Sequence, residues 1–123
     1  MSDKEILIVD DDSKNIFALK LVLQARGYPC VSAIDGITAI KIAHSNKNIG
    51  IILMDMMMPD MDGYESIGRL KEDIKTADIP VISVTAQAMP GDKEKCLEAG
   101  ADGYVSKPID VDELLRMVDK LKT

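Results

Sequence analysis

The sequence predicts an α/β protein, a doubly wound parallel sheet of five strands with five helices distributed over both faces. Two observations carry this. Short apolar runs alternate along the chain with amphipathic stretches of helical period, which is the pattern of repeated βα units. Four of the apolar runs also end in polar or charged residues. Ile6-Leu7-Ile8-Val9 meets Asp10-Asp11-Asp12, Ile51-Ile52-Leu53-Met54 meets Asp55, Val81-Ile82-Ser83-Val84 meets Thr85-Ala86, and Asp102-Gly103-Tyr104-Val105-Ser106 meets Lys107-Pro108. Right-handed crossovers place helices on both faces of such a sheet. If the strands lie side by side and parallel, these terminal residues share one edge.

The elements follow in order. The first helix is expected to begin near Ser13, a good N-cap residue, and to carry Ile16, Phe17, Leu19, Leu21, Val22 and Leu23 before Gly27 stops it. A short strand over residues 30–33 comes next. The second helix opens after Asp35-Gly36, with Ala39, Ile40, Ile42 and Ala43 on its inner face. Strand three covers residues 51–54. Asp62 and Glu65 have capping-box spacing for a third helix reaching about Leu70. Pro80 introduces the fourth strand, Pro90 suits the first turn of a fourth helix, and Gly100 ends it. Asp110 and Glu113 repeat the capping-box spacing ahead of a last helix, with Val111, Leu114, Leu115, Val118 and Leu121 inward.

No linker, low-complexity tract or charge block divides the 123 residues, so one domain spanning 1–123 is expected, large enough for its own core. With no Trp and a single Phe, that core must be aliphatic. A net charge of −6 argues against nucleic acid as a direct ligand, because binding there rests on phosphate neutralisation by Lys and Arg. The charged start, Met-Ser-Asp-Lys-Glu, precedes an apolar run far too short for a signal peptide or a membrane span. Cys30 and Cys96 lie far apart without CxxC spacing, which argues against a disulfide framework or a zinc site. The expectation is a reduced cytoplasmic protein with two small core thiols.

The chemistry sits in the strand-end residues. A carboxylate such as Asp55 at the end of a buried strand is costly without a partner, and neighbouring carboxylates repel. A hard divalent cation resolves both problems with oxygen ligands. Asp10 and Asp11 would point to opposite faces within a regular strand, but the chain is leaving the strand there, so both can turn to the edge. Asp12 is expected only to complement the helix dipole. Together the carboxylates, the Thr85 hydroxyl and the Lys107 ammonium can hold a divalent cation and accept a phosphoryl group.

Asp10-Asp11, Asp55 followed by Met58-Pro59, Thr85-Ala86, Tyr104 and Lys107-Pro108, in this order and spacing, resemble the receiver domain of two-component response regulators over essentially the whole chain. The resemblance implies a flavodoxin-like sheet of order 2-1-3-4-5, with the site at the switch point between strands one and three. It further implies that Mg²⁺ or Mn²⁺ is held directly by Asp11, Asp55 and the backbone carbonyl of Met57, with Asp10 acting through water. Asp55 would be the phosphorylated nucleophile, Lys107 and Thr85 would bind phosphoryl oxygens, and a cis bond before Pro108 would aim Lys107 inward. Tyr104 would be the switch aromatic, moving with Thr85 and reshaping the surface of helix four, strand five and helix five. The implied partners are a sensor histidine kinase or histidine phosphotransfer protein as donor, and a downstream protein target.

Met57 and Gln87 stand two residues beyond Asp55 and Thr85, where family members place side chains that orient a hydrolytic water. An apolar Met57 should shield the phosphoryl group, although Gln87 could partly compensate. No DNA-binding or enzymatic segment follows Thr123, so output through protein contact or onward phosphotransfer is expected. The stretch from Gln87 to Ile109 resembles receivers attached to hybrid sensor kinases, while Met1 favours a stand-alone regulator.

Two rival readings compete with this one. Asp60-Met61-Asp62-Gly63 matches the nucleophile motif of haloacid dehalogenase-type phosphatases. That motif directly follows an apolar strand, whereas here Pro59 and a loop precede it, and the downstream acidic motif is missing. An adaptor that never carries phosphate would not need the full acidic set. The methionines at 54, 56, 57, 58 and 61 read as core and loop packing rather than soft-metal ligands. His44, the single histidine, reads as a surface residue.

Overall fold

The computed structural model describes residues 4–86 and 89–121, and Gln87 lies outside them. The elements run β1 (Glu5–Val9), α1 (Ser13–Ala25), β2 (Cys30–Ala33), α2 (Gly36–Ser45), β3 (Ile49–Asp55), α3 (Gly63–Glu72), β4 (Val81–Thr85), α4 (Asp92–Glu98), β5 (Gly103–Ser106) and α5 (Val111–Leu121). All sheet pairs are parallel, in the order β2-β1-β3-β4-β5.

Alternate strand residues feed two cores, because successive side chains of a strand point to opposite faces. Leu7, Val9, Ile52, Met54 and Val81 pack with Ala39, Ala43, Ile67, Leu70 and Cys96, beneath α2, α3 and α4. Ile6, Ile8, Ile51, Leu53, Ile82 and Val84 pack with Ile16, Leu23, Leu114, Leu115 and Val118, beneath α1 and α5. Covered on both faces, the central strands β1, β3 and β4 are mostly apolar along their length rather than alternating.

Several boundaries differ from the sequence expectation. Asp12, not Ser13, caps α1: it is extended and its carboxylate accepts the Lys14 N–H at 2.9 Å. Phe17 and Leu21 stay exposed, because the buried stripe of α1 runs through Ile16 and Leu23, one heptad apart. β3 is longer than expected since it pairs along its length with β1 and β4. At α3 only half of the capping box forms. Asp62 accepts the Glu65 N–H at 2.9 Å, while the Glu65 carboxylate turns to Arg69 at 2.8 Å. Pro90 falls outside α4, which starts at Asp92 after Gly91 takes a left-handed conformation (φ 87°) that reverses the chain.

Asp110 accepts the Glu113 N–H at 3.2 Å ahead of α5. Met54, Met56, Met58 and Met61 are buried as packing residues, whereas Met57 is exposed. Both cysteines are free: Cys96 lies in the core, and Cys30 is only half-buried, with burial raising its thiol to about 11. His44 is exposed, with Nδ1 2.6 Å from Asp73 Oδ2. Among the described residues no helix is long and apolar enough to cross a membrane.

Candidate functional site

Register builds the site. Val9 pairs with Met54, so the residues that follow them, Asp10 and Asp55, emerge side by side at the carboxyl edge. Asp55 pairs with Val84, and Thr85 with Ser106, which brings Thr85 and Lys107 to the same edge. The Lys107 N–H donates to the Thr85 carbonyl at 2.8 Å, and Lys107-Pro108 is a cis peptide.

Local hydrogen bonds turn the carboxylates. Asp10 is buried, accepting the Asp12 N–H at 2.9 Å and the Asn15 side-chain amide at 3.4 Å as the chain enters α1. Asp55 is buried and accepts the Met57 N–H at 3.1 Å, which folds the following loop back over the strand end. Asp11 projects into solvent. One carboxylate oxygen from each of Asp10, Asp11 and Asp55 lies within 4.8 Å of the others. Lys107 Nζ stands 3.6 Å from Asp10 and 3.9 Å from Asp55. Thr85 is buried on β4.

Burial pushes the Asp55 carboxyl up to about 6, and the negative charges of Asp10 and Asp11 push the same way. The Met57 N–H and the Lys107 ammonium oppose them without cancelling them. A charged carboxylate that remains costly despite a lysine beside it is a place for further positive charge. Oxygen donors from three carboxylates suit a hard cation such as Mg²⁺, whose coordination combines a few carboxylates with water and phosphate oxygens.

Tyr104 is half-buried on β5, and its hydroxyl donates to Asp92 at 3.0 Å. Burial first, then the Asp92 hydrogen bond and charge, raise that hydroxyl to about 12. The rival phosphatase motif has no comparable setting: Asp62 is spent as the α3 cap, and Asp60 is exposed in the preceding loop at φ 65°. Sequence reasoning named Asp10, Asp11, Asp55, Thr85 and Lys107, and the structure brings all five to one edge. It missed Asn15, legible in hindsight as the polar residue five beyond Asp10 in the first turn of α1. It also missed Asp92 and Tyr64, which only the packing of α3 against α4 brings together.

A flavodoxin-like sheet with three carboxylates and a lysine gathered at its switch point defines a class of phosphate- and cation-handling α/β domains. Within that class, residues 6–119 match the response regulator receiver domain model, and the chain belongs to this family, a module of two-component phosphorelay signalling. It is 35% identical over 115 residues to the polar-differentiation response regulator DivK of Brucella anthropi, covering 94% of this chain and 93% of DivK. It is 42% identical over 110 residues to the sensor histidine kinase RcsC of Escherichia coli, covering 89% of this chain but only 11% of RcsC. The receiver domain of the sensor histidine kinase PA1611 from Pseudomonas aeruginosa, solved with a magnesium ion coordinated in its active-site cleft, superposes with TM-score 0.87 at 34% identity, with 96% of each chain covered.

Proposed function

We propose that residues 1–123 form one receiver unit that takes a phosphoryl group onto Asp55 from a phosphohistidine on a sensor kinase or histidine phosphotransfer protein. The observation that carries this reading is the gathering of three carboxylate oxygens within 4.8 Å, with Lys107 3.9 Å from Asp55. An Asp55 carboxylate oxygen attacks phosphorus in line, the P–N bond breaks, and its electron pair returns to the imidazole, which takes up a proton. The chain's part is positioning and charge neutralisation rather than acid–base work. The Met57 N–H fixes one Asp55 oxygen, leaving the other toward the crevice and Lys107. Lys107 lies where its ammonium can swing from the two carboxylates to a phosphoryl oxygen, and Thr85 offers a hydroxyl to another. Asp11, Asp55 and the Met57 carbonyl would hold Mg²⁺ or Mn²⁺ directly, with Asp10 acting through water. The bound cation would neutralise phosphoryl charge.

Phosphorylation then moves Thr85 and Tyr104 and alters the face of α4, β5 and α5 that a downstream protein reads. The chain catalyses only its own phosphorylation and dephosphorylation. We place it in the cytoplasm, where its two free cysteines stay reduced. The test is intact-mass measurement after incubation with Mg²⁺ and a small acyl phosphate. The parent gains one phosphoryl group, and Asp55→Asn and chelator-treated protein gain none. Undiminished labelling of Asp55→Asn would remove the assignment.

A further inference from the structure

Asp92 begins α4, yet its carboxylate is almost buried, at 8% exposed. It receives hydroxyls from two other elements: Tyr64 of α3 donates to Oδ1 at 3.2 Å, and Tyr104 of β5 donates to Oδ2 at 3.0 Å. Phosphoryl transfer at Asp55 makes no use of this carboxylate. A buried carboxylate persists when hydrogen-bonded, and such charge-assisted bonds are stronger than neutral ones. The Tyr64 hydroxyl is raised too, by burial first, then by Cys96 and Asp92, so both phenols remain donors across the ordinary pH range.

Tyr64 is in turn fixed to the acceptor strand. It follows Gly63, whose N–H donates to the Met56 carbonyl at 3.3 Å. A Cβ at Gly63 would lie 2.7 Å from Met56 Cα and 2.9 Å from the Asp55 carbonyl oxygen, so the start of α3 is pressed against the backbone that carries Asp55. On its other side Tyr64 is gripped by α4: Lys95 Nζ sits 4.7 Å from the ring centre, and Cys96 Sγ is 3.7 Å from the hydroxyl. One carboxylate thus joins α3, α4 and β5, and one of its two donors rests on the acceptor's own backbone.

We propose that Asp92 is the latch of the resting state, a positioning residue that holds Tyr104 where it is seen here and ties it through Tyr64 to the backbone around Asp55. This route runs beside Thr85 and does not pass through it. Displacement of residues 56–63 shifts Tyr64, weakens its bond to Asp92, and frees α4 and β5 together. The part of the proposal that concerns release rests on Asp55 as phosphoacceptor, and the resting latch does not.

The experiment uses the full chain, labelled with ¹³C in its tyrosine rings and ¹⁵N in its backbone, first without metal or donor. Tyr64→Phe, which removes one hydroxyl and leaves the ring, is expected to move the Tyr104 ring resonances and the β5 amides. Asp92→Ala moves the same resonances further in the same direction, and Asp92→Asn moves them part of the way. In an Asp92→Ala background the effect of Tyr64→Phe falls at least about threefold, since residues acting through a shared partner are not additive. An undiminished effect there, or a Tyr104 ring indifferent to both substitutions, overturns the latch. Should Asp92→Ala fail to fold, the same cycle run with Asp92→Asn decides. Mg²⁺ and a small acyl phosphate are then added to the parent. Phosphorylation is expected to move the α4 and β5 amides along the direction already taken in Asp92→Ala, and movement along an unrelated direction overturns the release step. A parent that takes up no phosphate removes the phosphoacceptor reading and the release step with it, and leaves the donor-free comparison to decide the latch.

Discussion

Asp55→Asn should make the metal-free protein more stable, although it removes the residue on which the proposed chemistry depends. The Asp55 carboxyl is raised from 3.8 to about 6, with burial as the largest cause. Its charged form is therefore less favourable in the folded than in the unfolded chain. Unscreened, a shift of that size corresponds to about 3 kcal/mol, and solvent screening at an open crevice brings it to about 1–2 kcal/mol. The sign follows from proton binding. Between the unfolded and folded values the native state holds more protons, so parental stability falls as pH rises through that window. The penalty is absent below the unfolded value and complete above the folded one. An asparagine keeps an oxygen for the Met57 N–H and carries no charge. In chelator at about pH 7.5 the variant should melt about 4–8 °C above the parent, and the gap should close toward about pH 4. Mg²⁺ at a hundredfold over its Kd adds about 2.7 kcal/mol to the parent, enough to reverse the order. Circular dichroism melts of both proteins at the two pH values, with and without Mg²⁺, provide the assay. Equal melting temperatures in chelator at the higher pH, or a gap independent of pH, would refute the account of Asp55 as a strained carboxylate awaiting a cation.

Other predictions test other parts of the site. Thr85→Ala is expected to keep part of its phosphate uptake while losing the part of the α4–α5 amide shift that Thr85 carries, the part routed through Asp92 remaining, and a full shift in that variant would exclude Thr85 as a link. Asp11 is exposed while Asp10 is occupied by the Asp12 N–H and Asn15. Asp11→Ala should therefore weaken Mg²⁺ binding more than Asp10→Ala, and equal losses in a metal titration would contradict that ranking. Met57 is exposed and apolar two residues beyond Asp55. Slow loss of phosphate is expected from the parent and faster loss from Met57→Asn, followed by intact mass over time. Equal lifetimes would remove the shielding argument.

The sequence was most readable where a residue's position in a strand fixes its neighbours. Once the strands are parallel, apolar runs ending in Asp10, Asp55, Thr85 and Lys107 have one edge to share. Strand order was legible through the family resemblance and not through hydropathy, because short, mostly apolar strands look alike. Helix starts were read one or two residues off where several candidate caps stand together. Asp12 outcompetes Ser13 because its carboxylate reaches the Lys14 N–H. Gly91 rather than Pro90 sets the start of α4 because a left-handed turn is needed there. Asp92 was invisible as a joint, since its donors lie 28 and 12 residues away on separate elements.

The distribution of restraint also fits the proposed acceptor and the proposed responding face to different strands. Asp55 ends β3, whose seven residues are all buried and which is hydrogen-bonded to β1 and β4. Phosphoryl transfer needs a nucleophile that stays in line, and the proposed nucleophile ends the most constrained strand. Tyr104 stands on β5, a four-residue edge strand paired only with β4, with one fully buried residue, Val105. Its companion α4 is seven residues long and has no side-chain cap bond. Segments with few buried contacts and short ladders open at low free-energy cost, and moving elements are drawn from that end of the range. On the proposed reading, a signal generated at β3 would be expressed at β5 and α4 because these yield first, and the proposed Asp92 latch, joining both to α3, would stand where it could govern when they do.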